Sequence, residues 1–212
     1  MISFCDIPLT RVTDHVKKYG SYAIGLTTDW ATKNKLNPVL YIEKKSNLAN
    51  GLFKVLNFIQ KGDWHNSIEN DDEVMEFYNN LFKGSMNIIY SLKNYKGRLV
   101  RNGKDQDYKF YDEREWRYLP IIDDSDSAEY PDIYWEDDFN NLKIDFPRKP
   151  YFNRYVVKFN ATDIKYLVVE NEKDVSKIMI ELRSIDNLYS NHHDYELLLT
   201  KFITLKQIEE DF

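Results

Sequence analysis

Tyr111-Asp112-Glu113-Arg114-Glu115-Trp116-Arg117-Tyr118-Leu119-Pro120 is the densest mixture of aromatic and ionisable residues in the chain. Read as a strand, whose side chains alternate between faces, it sends Glu113, Glu115 and Arg117 one way and Arg114, Trp116 and Tyr118 the other. The two carboxylates then stand about 7 Å apart by the strand rise, in line with a guanidinium. Such a row is costly to bury unless it is paired or lies in a wet cleft. Two readings stay open. Glu113, Glu115 and Arg117 form an ion-paired ladder with neighbouring strands, or they floor a site. In a site, one carboxylate would act as electrostatic stabiliser and the other as general base, provided their surroundings push the two pKa values apart.

The flanking sequence frames this stretch with short alternating elements. Upstream, Ile2 to Ile7 is a β-rich run, and residues 10–18 read as a helix stopped at Gly20. Ser21 to Leu26 is a short strand. Thr27-Thr28-Asp29 reads as a helix N-cap before Trp30, Asn37-Pro38 breaks that element, and Val39 to Ile42 is a third strand. Apolar residues at 48, 52, 55, 56 and 59 have helical spacing. Asp71-Asp72-Glu73 opens a second helix to about Met86, with acids where the helix dipole favours them. Residues 94–110 are basic and polar around Asn102-Gly103, as in a hairpin or loop. Downstream, residues 121–150 are an acidic loop. Tyr155 to Phe159 and Ile164 to Val169 are strands, Asn171 to Arg183 leads into and forms a helix, and Leu197 to Ile203 is a last strand before a short helix. This mixture indicates a single α+β domain over 1–212, with a helical layer at about 46–92.

Composition narrows the classes. The 212 residues include 16 Tyr, 12 Phe and 4 Trp, too aromatic for a disordered chain. Net charge is −6, which argues against a generally basic nucleic-acid surface. A single cysteine, Cys5, excludes an internal disulfide and a cysteine-rich zinc site. No window approaches the roughly 18–20 apolar residues of a membrane span, and the start lacks the pattern of a signal peptide. A cytoplasmic location is expected. No metal is expected either, since the acidic loop does not have the spacing of an EF-hand. Phosphate-loop, dinucleotide, nucleophile-elbow and zincin signatures are missing. His192-His193-Asp194 reads as a polar surface loop. His15, on the first helix near Tyr19-Gly20, is either a structural histidine or part of a site.

Ser3-Phe4-Cys5-Asp6-Ile7-Pro8-Leu9, then His15, Tyr19-Gly20, Tyr22-x-Ile24-Gly25-Leu26, Trp30 and Asn37-Pro38-Val39-Leu40-Tyr41, resemble the AbiGi family. These are abortive-infection proteins of bacterial phage defence, described as antitoxins. The Tyr111 to Pro120 block and the ending Ile203-Thr204-Leu205 are also like that family. More remotely, the order of motifs is similar to the ADP-ribosyltransferase fold. That resemblance implies two small, mostly antiparallel sheets with flanking helices and NAD held between the sheets. It makes Glu115 and Glu113 catalytic, and His15, Tyr19 and Arg117 cofactor-binding. The target would be a protein or a nucleic acid. The family resemblance also implies the alternative, a non-catalytic antitoxin or regulator that binds a cognate toxin. Relatives carry an earlier His-Phe-Thr-like strand that would hold NAD. This chain starts at Met1-Ile2-Ser3 without such a segment, so either the product is naturally short, another residue such as His15 substitutes, or NAD binding is lost.

Overall fold

The computed structural model describes residues 1–61, 72–101, 103–120, 155–184 and 192–211. It is a mixed α/β chain with seven α-helices among the described residues. The strands fall into four small sheets there, not the expected two. The chain divides into two compact units, one of Ile2–Tyr19 with Ala31–Tyr118, the other of Gly20–Trp30 with Leu119–Asp211 and Met1. No helix among the described residues is long and apolar enough to cross a membrane.

The first of these units is built on a sheet in the order β1 (Ile2–Cys5), β8 (Glu115–Tyr118), β3 (Asn37–Pro38), antiparallel throughout. Asn37-Pro38 therefore does not only break the chain. It pairs with Arg117 and Trp116, and at this edge the ring needs no donated N–H. β4 (Leu40–Ile42) runs parallel to β5 (Leu92–Asn94), and the hairpin β6 (Gly97–Arg101) to β7 (Lys104–Tyr108) turns at Gly103, whose φ is +72°. Helix α1 (Val12–Tyr19) ends at Gly20 with φ +103°, the left-handed stop that glycine takes without strain. Between β4 and β5 lie α3 (Asn47–Lys61) and α4 (Asp72–Ser91). The Ser46 hydroxyl caps α3 by accepting the Ala49 N–H at 3.0 Å, and Asp72 and Glu73 occupy the first turn of α4. Ile88 to Ser91 continue α4.

In the other unit β9 (Ile164–Val169) is central, antiparallel to β2 (Ala23–Leu26) and parallel to β10 (Phe202–Thr204). Helix α2 (Thr28–Lys33) begins where the Thr27 hydroxyl accepts the Trp30 N–H at 3.2 Å. α5 (Glu172–Ser184), α6 (His192–Leu199) and α7 (Leu205–Asp211) complete the unit. Ala161, Ile164 and Leu198 centre its core, packed by Leu26, Leu167, Leu182 and Leu197.

Several expectations need correction. Tyr155 to Phe159 is not a strand; Tyr155 lies in a 3-10 turn and 156–160 are irregular, with the Lys158 carbonyl taken by the Trp30 indole N–H at 3.0 Å. Leu197 to Leu199 end a helix that His192 and Asp194 open, so the polar triplet is not a loop and the strand starts only at Phe202. A run of three apolar residues is too short to reveal its period: of Leu197-Leu198-Leu199 only Leu198 is buried, and Leu199 is exposed. The acidic loop at 121–150 lies outside the described residues.

Candidate functional site

Glu113 is not on the strand. Phe110–Glu113 form a 3-10 turn, and Arg114 takes the left-handed conformation (φ 45°, ψ 50°) before β8 begins at Glu115. The alternation expected from Tyr111 to Pro120 therefore holds only from Glu115 onward. The turn nevertheless returns the Glu113 carboxylate to the face of Glu115, because both meet the same cation.

That cation is Lys93, in the middle of β5. Its ammonium lies 2.5 Å from Glu113 Oε2 and also pairs with Glu115 Oε2. The remaining carboxylate oxygens are engaged too. Tyr19 donates its hydroxyl to Glu113 Oε1 at 2.6 Å. Ser3 Oγ donates to Glu115 Oε1 at 2.7 Å, and Arg117 Nε donates to the same oxygen at 2.6 Å. Strand register explains this convergence. Ser3 stands opposite Arg117 and Cys5 opposite Glu115, so all four share one face of the sheet. Arg117 then spends Nη1 on the carbonyls of Tyr90 and, at 3.1 Å, Leu92, tying the end of α4 and the start of β5 to β8. The Tyr41 hydroxyl accepts the Glu115 N–H at 2.8 Å.

Both glutamates are buried, Glu113 with 6% and Glu115 with 4% of its surface exposed. Burial alone would push their carboxyls up. Hydrogen bonds from Lys93 to both, then from Tyr19 to Glu113 and from Arg117 and Ser3 to Glu115, outweigh it and hold both below the ordinary value. Burial would lower Lys93, but the two carboxylates raise it. The Phe110 ring lies 5.3 Å from the Lys93 ammonium, a cation–π contact, and Gly97 gives that ring room, since a Cβ there would come within 3.3 Å of it. Cys5 is exposed, yet partial burial followed by the charges of Glu113 and Glu115 pushes its thiol up to about 11, which disfavours a nucleophilic thiolate.

Of the five residues named from the sequence, Glu113, Glu115, Tyr19 and Arg117 meet in one cluster. His15 stacks on the Tyr19 ring at 4.3 Å between centroids, one layer out. Lys93, Ser3 and Tyr41 were missed. Leu92-Lys93-Asn94 looks like the fringe of a helix in sequence, and only the requirement that two buried carboxylates find a cation points to it. Among the described residues no group of three or more His, Cys, Asp or Glu side chains could hold a metal.

A family described as "Putative abortive phage resistance protein AbiGi, antitoxin" matches residues 1–170. The chain belongs to the AbiGi family. No characterised protein and no solved structure matches it. In this AbiGi chain the two stretches that carry the resemblance are not separate features. Residues from Phe4 to Tyr41 supply β1 and β3, and the Tyr111 to Pro120 block supplies the β8 strand between them. The ending Ile203-Thr204-Leu205 lies beyond the matched span.

Proposed function

We infer that this chain is the antitoxin of an abortive-infection pair, acting by binding a cognate toxin, with the Lys93 cluster serving as buried framework. The observation that carries this reading is the saturation of Glu113 and Glu115 by the chain's own Lys93, Arg117, Ser3 and Tyr19. A carboxylate positioned to stabilise a developing positive charge on a substrate needs an open face toward it. These two face side chains of the same protein. Co-expression with the product of the adjacent gene tests the reading. A stable complex that relieves toxicity, and that survives Glu115→Gln whenever the variant folds, is the expected result. A toxin whose activity is untouched by the chain removes the antitoxin role.

The second reading, transfer of ADP-ribose from NAD to a protein or nucleic-acid target, is favoured by the convergence of Glu113, Glu115, Tyr19 and Arg117. It requires Lys93 to give up at least one carboxylate when the dinucleotide arrives. A ligand that binds only the native state raises its melting temperature, so thermal melting with NAD decides it. An NAD-dependent rise that Glu115→Gln abolishes favours transfer; an unchanged melting temperature favours the framework.

A further inference from the structure

Helices α3 and α4 each carry two apolar stripes. The inner one, through Leu52, Leu56 and Ile59 on α3 and through Met75, Tyr78 and Ile89 on α4, is buried or half-buried. The Tyr78 hydroxyl donates to the Ile59 carbonyl at 3.3 Å. Displaced from each inner stripe by one residue toward the N-terminus runs a second. On α3 it is Leu48, Gly51, Val55 and Phe58; on α4 it is Val74, Phe77, Leu81, Gly84 and Ile88. Its spacing of three and four residues is that of a helix-packing seam. It is exposed, Phe58 by 67%, Phe77 by 66%, Leu48 by 60% and Val55 by 57%.

The two glycines give the seam its meaning. A glycine in a helix interior weakens the helix. Gly51 and Gly84 are not among the residues with positive φ, and a Cβ built on either would meet nothing within 4 Å. Among the described residues, neither the backbone conformation nor the packing at these two positions requires glycine. A second backbone approaching the seam would.

The helices are antiparallel. Ile59 lies twelve residues after the start of α3 and Tyr78 thirteen before the end of α4, and the strands at those two ends, β4 and β5, are hydrogen-bonded neighbours. In an antiparallel pair an equal one-residue offset puts both seams on the same side. Read along α3 the seam is Leu48, Gly51, Val55, Phe58. Read backwards along α4, the same direction in space, it is Ile88, Gly84, Leu81, Phe77. The glycines make a notch at one end of the face and the phenylalanines a ridge at the other, seven residues or about 10 Å apart on both helices.

We propose that this face is the interface of a homodimer. A second copy related by a two-fold axis through the level of Val55 and Leu81 lays its Phe58–Phe77 ridge in this copy's Gly51–Gly84 notch and receives the reverse. An unrelated partner needs only a shape complementary to the face; a copy of the chain needs ridge and notch matched in spacing on both helices, as they are. The exposed apolar area is roughly 600–700 Å² per chain, taking large side chains at about 150–250 Å² each. Two copies reach the lower part of the range that stable interfaces bury, about 1,200–2,000 Å². The proposal does not depend on the toxin reading.

Sedimentation of the full chain over a concentration series tests it. The expected mass is twice the 25.4 kDa of one chain, falling to one chain in Phe58→Asp/Phe77→Asp with the helical circular dichroism unchanged. Gly51→Ala/Gly84→Ala should also lose the dimer while its helices melt no earlier, a combination that general misfolding does not produce. In a Cys5→Ser background, Val55→Cys should crosslink two copies under oxidation and Asn50→Cys, on another side of α3, should not. A wild-type chain that stays monomeric at high concentration overturns the proposal. So does a dimer that survives the double Asp variant, or a monomer whose seam is needed only to hold the toxin.

Discussion

Two regions of one unit break the rule of charges outside and apolar groups inside, in opposite directions. Around β8 two glutamates are buried, and the lysine and arginine that pair with them are half-buried. On α3 and α4, phenylalanines, leucines and valines stand in solvent. The first exception is closed within the chain, since each carboxylate oxygen has a donor from the same protein. The second is open at its glycines, since a Cβ at Gly51 or Gly84 would meet nothing within 4 Å. A buried ionic cluster that is fully satisfied reads as architecture. An exposed seam with unexplained glycines reads as contact.

The sharpest way to break this contrast is Lys93→Met. Removing one partner of a buried pair leaves charge uncompensated, and such losses run to about 3–5 kcal/mol; here two carboxylates are stranded at once. Urea unfolding should show a loss in that range. The exposed Phe77→Asp should change the stability of the single chain by less than about 0.5 kcal/mol. Equal costs would mean that the cluster is not the keystone of its unit.

The cluster also has a signed pH dependence. Glu113 and Glu115 are held below their ordinary 4.5, so their stabilisation is full above that value and is lost as pH falls through their lowered native pKa. Lys93 is raised above its ordinary 10.5, so its share is full below that value and is lost as pH rises through the raised pKa. The wild type should therefore be most stable between about pH 5 and 10. Without Lys93 the carboxylates keep only the hydrogen bonds from Tyr19, Arg117 and Ser3, so Lys93→Met should lose less stability than the wild type on acidification from pH 7. An acid dependence as steep as that of the wild type would show the carboxylates stabilised chiefly by these other donors.

What the sequence revealed of this arrangement follows from where the information lies. Helices α1, α3 and α4 are readable because caps and spacing are local: Gly20, Ser46 and the Asp72-Glu73 pair all act within a turn or two of themselves. The strand at Ile164 to Val169 is readable from its apolar run. Glu115 and Arg117 could be placed on one face from alternation alone. Lys93 could not, because its role depends on a meeting across 20 and 22 residues of chain. The turn at Glu113 was hidden as well, since Arg114 takes a left-handed conformation that glycine or asparagine more often signals. The second stripe on α3 and α4 was present in the residue spacing all along, but only burial separates an inner seam from an outer one.

A smaller perturbation probes the rim of the cluster. Tyr19→Phe removes the hydroxyl that donates to Glu113 Oε1 while leaving the Lys93 pair in place. Hydrogen bonds to charged groups are worth about 1.5–3 kcal/mol, and Tyr19 is half exposed, so water replaces part of the loss. A cost of about 1.5 kcal/mol by chemical unfolding is expected. The His15 ring stacked on Tyr19 should keep its place, visible as unchanged ring-to-ring contacts by NMR. A cost as large as that of Lys93→Met would move the weight of the cluster from the ion pairs to its edge.

The smallest expected effect carries a sign that ordinary packing does not give. Gly84 lies inside α4, in open space, with no left-handed backbone to preserve. Gly84→Ala should therefore raise the stability of the isolated chain by about 0.5–1 kcal/mol, because alanine loses less conformational freedom on entering a helix. In an assembled pair the same methyl fills the notch that receives a phenylalanine ridge, and the association should weaken. Melting at dilution and melting at high concentration thus move apart: the first rises and the second falls relative to the wild type. If the added methyl stabilises equally at both concentrations, the notch is empty in every state of the protein and Gly84 has no function that a second copy explains. If it destabilises the dilute chain, the helix is packed where it stands exposed here, and the contrast between the closed cluster and the open seam disappears.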